Sequence, residues 1–156
     1  MATGRKLENN ISKKLLKINK SERGFFIKSP TPMKMISQNG KIVPIYSNKA
    51  LCDFIGIYNS KFVLIEVKNV SGARFEFKRL KEHQEKQLSS IKRHGGISII
   101  FIYISESNDL ISLGIEEYLV YKSQTEKKSI NINALKNIGK LIEIEDIEEY
   151  INFLTS

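Results

Sequence analysis

Asp53, Glu66 and Lys68 are two carboxylates and an ammonium that one hairpin can bring together. Phe62-Val63-Leu64-Ile65 is an apolar run that predicts a strand buried on both faces, and it stops on Glu66-Val67-Lys68. Side chains two apart along a strand share a face, so Glu66 and Lys68 project together from its end. Asp53 opens the preceding predicted strand, Asp53–Tyr58. Asn59-Ser60 is a tight turn that returns the Asp53 carboxylate beside Glu66. Charges at the end of a buried strand are costly unless they pair or meet a cation. An ion pair at a strand end would account for Glu-x-Lys alone. Asp53 and the basic surroundings turn the reading toward a metal centre.

That centre suits phosphodiester cleavage. Carboxylates are hard oxygen ligands, matched to Mg²⁺ and secondarily to Mn²⁺. The Val67 carbonyl is a further candidate ligand. A cation so held polarises a phosphate and acidifies water. Lys68 would orient the attacking water or stabilise the charged transition state.

The charge distribution agrees with a polyanionic partner. The 156 residues carry a net charge of +8. Residues 1–94 hold 20 Lys+Arg against 7 Asp+Glu, net +13, and residues 95–156 hold 5 against 10, net −5. A basic body with an acidic C-terminal part predicts one face adapted to a polyanion. A lysine-rich solubilising surface explains the charge equally well, and charge decides nothing about catalysis. The length suits a single nuclease domain over residues 1–156. No apolar run is long enough for a membrane span. The lone cysteine, Cys52, and a basic start without an apolar leader stretch point to a reducing cytoplasm.

The elements that must position these residues are legible in outline. Leu7, Ile11, Leu15 and Ile18 recur at three- and four-residue spacing, which predicts a helix over 5–19. Phe25–Lys28 predicts a short strand. Met33–Tyr46 predicts a hairpin around Asn39-Gly40, and Pro44 consigns its second strand to an edge or an arm. A basic helix is expected over 78–94, stopped by His94-Gly95-Gly96. Strands are expected at Ile97–Ile104 and Asp109–Leu113, and short helices at Ile115–Tyr121 and Ile147–Leu154. This order implies an α/β fold, a mixed central sheet with helices on its faces.

Asp53, twelve intervening residues and then Glu66-Val67-Lys68 resembles the PD-(D/E)xK nuclease motif, with Cys52 in the place where proline is common. The match extends along the chain through Lys28-Ser29-Pro30-Thr31-Pro32, Asp53-Phe54-Ile55-Gly56-Ile57-Tyr58, Phe77-Lys78 with His83-Gln84, His94-Gly95-Gly96-Ile97 and Lys127-Lys128-Ser129-Ile130. In that order the segments resemble the RecU family of Holliday junction resolvases. The resemblance implies a restriction-endonuclease-like fold, a homodimer, a Mg²⁺-dependent cut in branched DNA, ideally a four-way junction, and a recombinase as a further candidate partner. It implies that Glu8, on the first helix, completes the metal site and that Gln84 sits over it. A solvated glutamate and a packed helix-face glutamine are the ordinary alternatives. Lys28, Thr31 and Lys34 around the Pro-Thr-Pro turn, Lys41 and Lys49 in the arm, and Lys78 and Arg79 are candidate phosphate contacts. For any one lysine a solvated surface role competes.

The arm of residues 37–51 is shorter than the stalk typical of that family. This bears on junction selectivity more than on cleavage. Three other readings stay open at this point: a restriction- or repair-type nuclease on the same fold, a non-cleaving junction-binding accessory protein, and a basic protein–protein adaptor. The adaptor leaves the Glu66–Lys68 strand end unexplained.

Overall fold

The computed structural model describes residues 4–30, 33–46 and 51–156. The chain runs α1 (Gly4–Lys20), β1 (Gly24–Lys28), β2 (Met33–Gln38), β3 (Lys41–Tyr46), β4 (Phe54–Tyr58), β5 (Lys61–Val70) and β6 (Arg74–Glu76). It continues with α2 (Glu82–Arg93), β7 (Ile97–Ile104), β8 (Asp109–Leu113), α3 (Ile115–Gln124), β9 (Ser129–Asn131), α4 (Ile132–Ile138), β10 (Lys140–Ile142) and α5 (Ile147–Thr155). Six strands form a mixed sheet in the order β1-β4-β5-β7-β8-β10. β5 and β7 are parallel, with α2 as the crossover between them, and the other neighbours are antiparallel.

Alternation along β5 explains why the sheet has two cores. Val63, Ile65 and Val67 face one side, where they join Leu7, Ile11, Leu15 and Ile18 of α1 and Ile147 and Ile151 of α5. Leu64 and Val70 face the other side, with Leu88 of α2 and Ile115 and Tyr118 of α3. Glu66 and Lys68 share the parity of Leu64 and therefore emerge on the α2 side. The sheet thus buries aliphatic side chains on both faces, and a charged pair interrupts one of them.

Turn chemistry sets the hairpins. Asn59 (φ 48°) and Ser60 (φ 61°) close β4 onto β5, and Asn39 (φ 51°) and Gly40 (φ 73°) close β2 onto β3. Positive φ at both central residues matches the strand twist. The register pairs Phe54 with Ile65, which sets Asp53 at the level of Glu66. β2 and β3 form a separate two-stranded ribbon, the expected hairpin arm.

The predicted basic helix requires a correction. Phe77–Arg79 is a 3-10 turn, Leu80 and Lys81 are extended, and the α-helix begins at Glu82. Phe77 and Leu80 are buried in the core beneath α2 and hold the chain extended there. The Gln84 side chain accepts the Lys81 backbone N–H at 3.0 Å, which caps the helix in the manner of a capping box. Lys78 and Arg79 therefore precede α2. A second small ribbon, β6 with β9, was not foreseen in the sequence, nor were α4 and β10.

Candidate active site

The carboxyl end of β5 carries the cluster. Glu66 is only 2 % exposed. Its Oε1 accepts from Lys68 Nζ at 2.7 Å and from Gln84 Nε2 at 3.0 Å. Gln84 in turn faces Lys68, with its Oε1 3.4 Å from the ammonium. The other oxygen of Glu66, Oε2, is buried and has no hydrogen-bond partner. Orphaned buried polar atoms are uncommon because each forfeits its solvation, and more so for a charged group.

Asp53 reaches the cluster from the neighbouring strand. Its Oδ2 accepts the Val67 backbone N–H at 2.7 Å, so one β5 amide is spent on orienting the carboxylate. The Asp53 carboxyl is pushed up to about 7. Burial is the main cause, followed by the charge of Glu66, with Glu8 adding to it. The Val67 hydrogen bond and the Lys68 charge act in the opposite direction. The neighbouring Cys52 thiol is fully buried and pushed far up by burial, which makes it a poor nucleophile.

Glu8 lies in the second turn of α1. A methyl group at Gly4 would lie 3.9 Å from the Asn69 Cβ, so the start of α1 lies at the carboxyl end of β5. Glu8 is half-buried and pairs with Lys28 of β1 at 3.0 Å. Its charge adds to the rise of the Asp53 carboxyl.

Among the described residues, no group of three or more His, Cys, Asp or Glu side chains forms a ready-made metal cage. The donor set still fits a hard divalent cation. Mg²⁺ is commonly held by one or two carboxylates, with water and substrate phosphates completing the shell. Two crowded carboxylates, one with an orphaned oxygen and the other with a raised affinity for protons, meet that description.

The remaining sequence candidates are dispersed. Lys34 and Lys41 lie exposed on the β2–β3 ribbon. Lys78 pairs with Glu76 at 2.9 Å, and the Arg79 guanidinium stacks 5.6 Å over the Phe75 ring. Thr31 and Lys49 lie outside the described residues. Sequence reasoning missed the helix-capping role of Gln84. Its signal was the three-residue spacing from Lys81 at the start of the helix.

The mixed sheet with flanking helices defines a restriction-endonuclease-like α/β protein, with a carboxylate–carboxylate–lysine cluster on its central strands. The family model "Recombination protein U", RecU, matches residues 2–156, and the chain belongs to that family. Among curated relatives, a protein of Mycoplasmopsis pulmonis named Holliday junction resolvase RecU is 28% identical over 138 residues, covering 88% of this chain and 83% of its own length. Proteins of the same name are 22% identical in a Geobacillus species (75% of this chain, 64% of the relative) and 25% identical in Ureaplasma parvum (92% and 84%). Hjc, a Holliday junction resolvase of Archaeoglobus fulgidus, shares the fold at a TM-score of 0.50 and 16% identity, with 87% of this chain and 94% of that one covered.

Proposed function

We propose that the protein is a divalent-metal-dependent endodeoxyribonuclease that resolves Holliday junctions by paired nicks. The observation that carries this reading is the buried Glu66 Oε2, unpartnered, in a cluster with a second carboxylate and a lysine. A site built only for stability would satisfy that oxygen. Membership in the RecU family supports the junction as substrate.

Asp53 and Glu66 would hold the cation, with the Val67 carbonyl as a further ligand and Glu8 completing the site from α1. Mg²⁺, or Mn²⁺ in its place, would supply charge neutralisation at the phosphate and acidification of water. The Val67 amide fixes the Asp53 carboxylate, and Gln84 fixes Glu66, so both are aimed before substrate arrives. Lys68 holds its ammonium beside Glu66 and would donate to the phosphate oxygens as charge develops. Lys28, Lys34, Lys41, Lys78 and Arg79, with Thr31 and Lys49, would contact phosphates.

Two symmetric cuts call for two copies related by a twofold axis. Phe25, Ile57 and Phe62 form one cross-strand row on the β1-β4-β5 edge, and Ile27 continues it; all four are exposed. This apolar row is the surface we assign to a homodimer. Among the described residues, no helix is long and apolar enough to cross a membrane. The lone buried cysteine favours a cytoplasmic protein.

The test compares a four-way junction with a matching linear duplex, in Mg²⁺ and in chelator, for the parent protein, Asp53→Asn and Glu66→Gln. Metal-dependent paired nicks confined to the junction and lost in both variants are expected. Cleavage that survives either substitution rejects the site. Cutting of the linear duplex at equal rate assigns a general nuclease instead.

A further inference from the structure

Below the start of α2 lies a groove of about 780 Å³ that the catalytic cluster does not use. Its floor is apolar, made by Phe77 and Leu80. Its rim is lysine from three separate segments: Lys78 and Lys81 before α2, Lys122 at the end of α3, and Lys127 and Lys128 in the loop that enters β9. The Phe77 backbone N–H donates to the Lys128 carbonyl at 3.0 Å, which ties that loop to the floor.

Three carboxylates also line the groove, and each is already matched. Glu76 pairs with Lys78 at 2.9 Å, Glu85 with Lys122 at 2.6 Å, and Glu82 with Lys86 at 2.8 Å. Lys81, Lys127 and Lys128 have no carboxylate within ion-pair distance among the described residues. The groove is therefore net positive. Lys127 and Lys128 are notable because they come from the part of the chain that is net −5 and holds only 5 basic residues in all.

Position connects the groove to the site. Lys81 lines the groove, and its backbone N–H is held by the same Gln84 side chain that holds Glu66. The groove and the cluster thus share the first turn of α2.

We infer that the Lys81–Lys127–Lys128 groove is a second phosphate-binding track, holding the nucleic-acid backbone a short distance from the bond that is cut. This rests on the nuclease reading above. The lysine rim takes phosphates. The loop at 125–128 then acts in substrate positioning.

The test is a salt titration of four-way junction binding in chelator, followed by fluorescence anisotropy, for the parent protein and for Lys127→Ala/Lys128→Ala. Each phosphate contact contributes about −0.9 to the slope of log K against log salt. Loss of one or two contacts should flatten the slope by about 1–2 and weaken binding several-fold at low salt. The matched control Lys13→Ala/Lys20→Ala, on exposed positions of α1, should keep the parent slope. If the groove variant binds with the parent's slope and affinity, the inference is overturned, and the groove is left for an acidic protein segment. A parent protein that cleaves junctions keeps the nuclease reading intact in that case. A parent that neither binds nor cleaves junctions removes both.

Discussion

Removing the charge at Asp53 should make the metal-free protein more stable while it abolishes metal binding. The carboxyl is pushed up to about 7 from an ordinary 3.8, because burial, Glu66 and Glu8 all oppose its ionisation. Between those two values the folded state holds a proton that the unfolded chain has released. Stability of the metal-free protein therefore falls as pH rises from about 4 to about 7 and levels off above that. A shift of about 3 pH units corresponds to at most about 4 kcal/mol of destabilisation at pH 8. Asn keeps an acceptor for the Val67 N–H but still loses solvation on burial, so about 1–3 kcal/mol should be recovered in Asp53→Asn. For a chain of this size, at about 2–4 °C per kcal/mol, that is a rise in Tm of roughly 2–12 °C. The assay is thermal unfolding of parent and variant at pH 5 and pH 8 in chelator, repeated with Mg²⁺ or Mn²⁺. The variant should exceed the parent at pH 8, by less at pH 5, and only the parent should gain from metal. An Asn variant no more stable than the parent at pH 8, or equal metal stabilisation of both proteins, would refute the reasoning.

Other expectations follow from the same geometry. Mn²⁺ affinity, measured by calorimetry, should rise about tenfold per pH unit below 7 and flatten above it, because the ion must displace the Asp53 proton; affinity independent of pH between 5 and 7 contradicts this. Gln84→Ala should leave Glu66 Oε1 and Lys68 held only by each other and remove a cap from α2. A loss of roughly 0.5–2 kcal/mol in stability is expected from the cap, together with a lower single-turnover rate that Gln84→Glu does not restore. Leu88→Ala, at a fully buried position beneath the sheet, should cost about 2–5 kcal/mol in denaturant unfolding. Gly56→Val should also destabilise, since even a Cβ at that position lies 2.5 Å from the Phe25 carbonyl oxygen.

The structure also shows where pattern reading fails. The helix expected from residue 78 starts only at Glu82: Leu80 lies at helical spacing from Gln84, Leu88 and Ile91, but burial of Leu80 together with Phe77 holds the chain in an extended turn there. Only the family resemblance puts Glu8 near the metal site. Its ion pair with Lys28 joins α1 to β1, and no local spacing encodes that contact. The β6–β9 ribbon joins residues more than 50 apart through three-residue strands, too short to carry a period of their own.

The sequence by itself determined the α1 stripe, the two hairpin turns and the projection of Glu66 and Lys68 from one face of β5, since period and turn chemistry are local properties. The Asp53–Glu66 juxtaposition was also legible, because a two-residue turn fixes the register of its strands. Only the tertiary structure decided that Glu66 is buried with one oxygen unpartnered, that Gln84 bridges it to the start of α2, and that Lys127 and Lys128 come to rest beside Lys81. These depend on how α2 packs against β5 and β7 and on where a distant loop closes. Packing and loop closure join residues far apart in the chain, and no periodicity along the sequence records them.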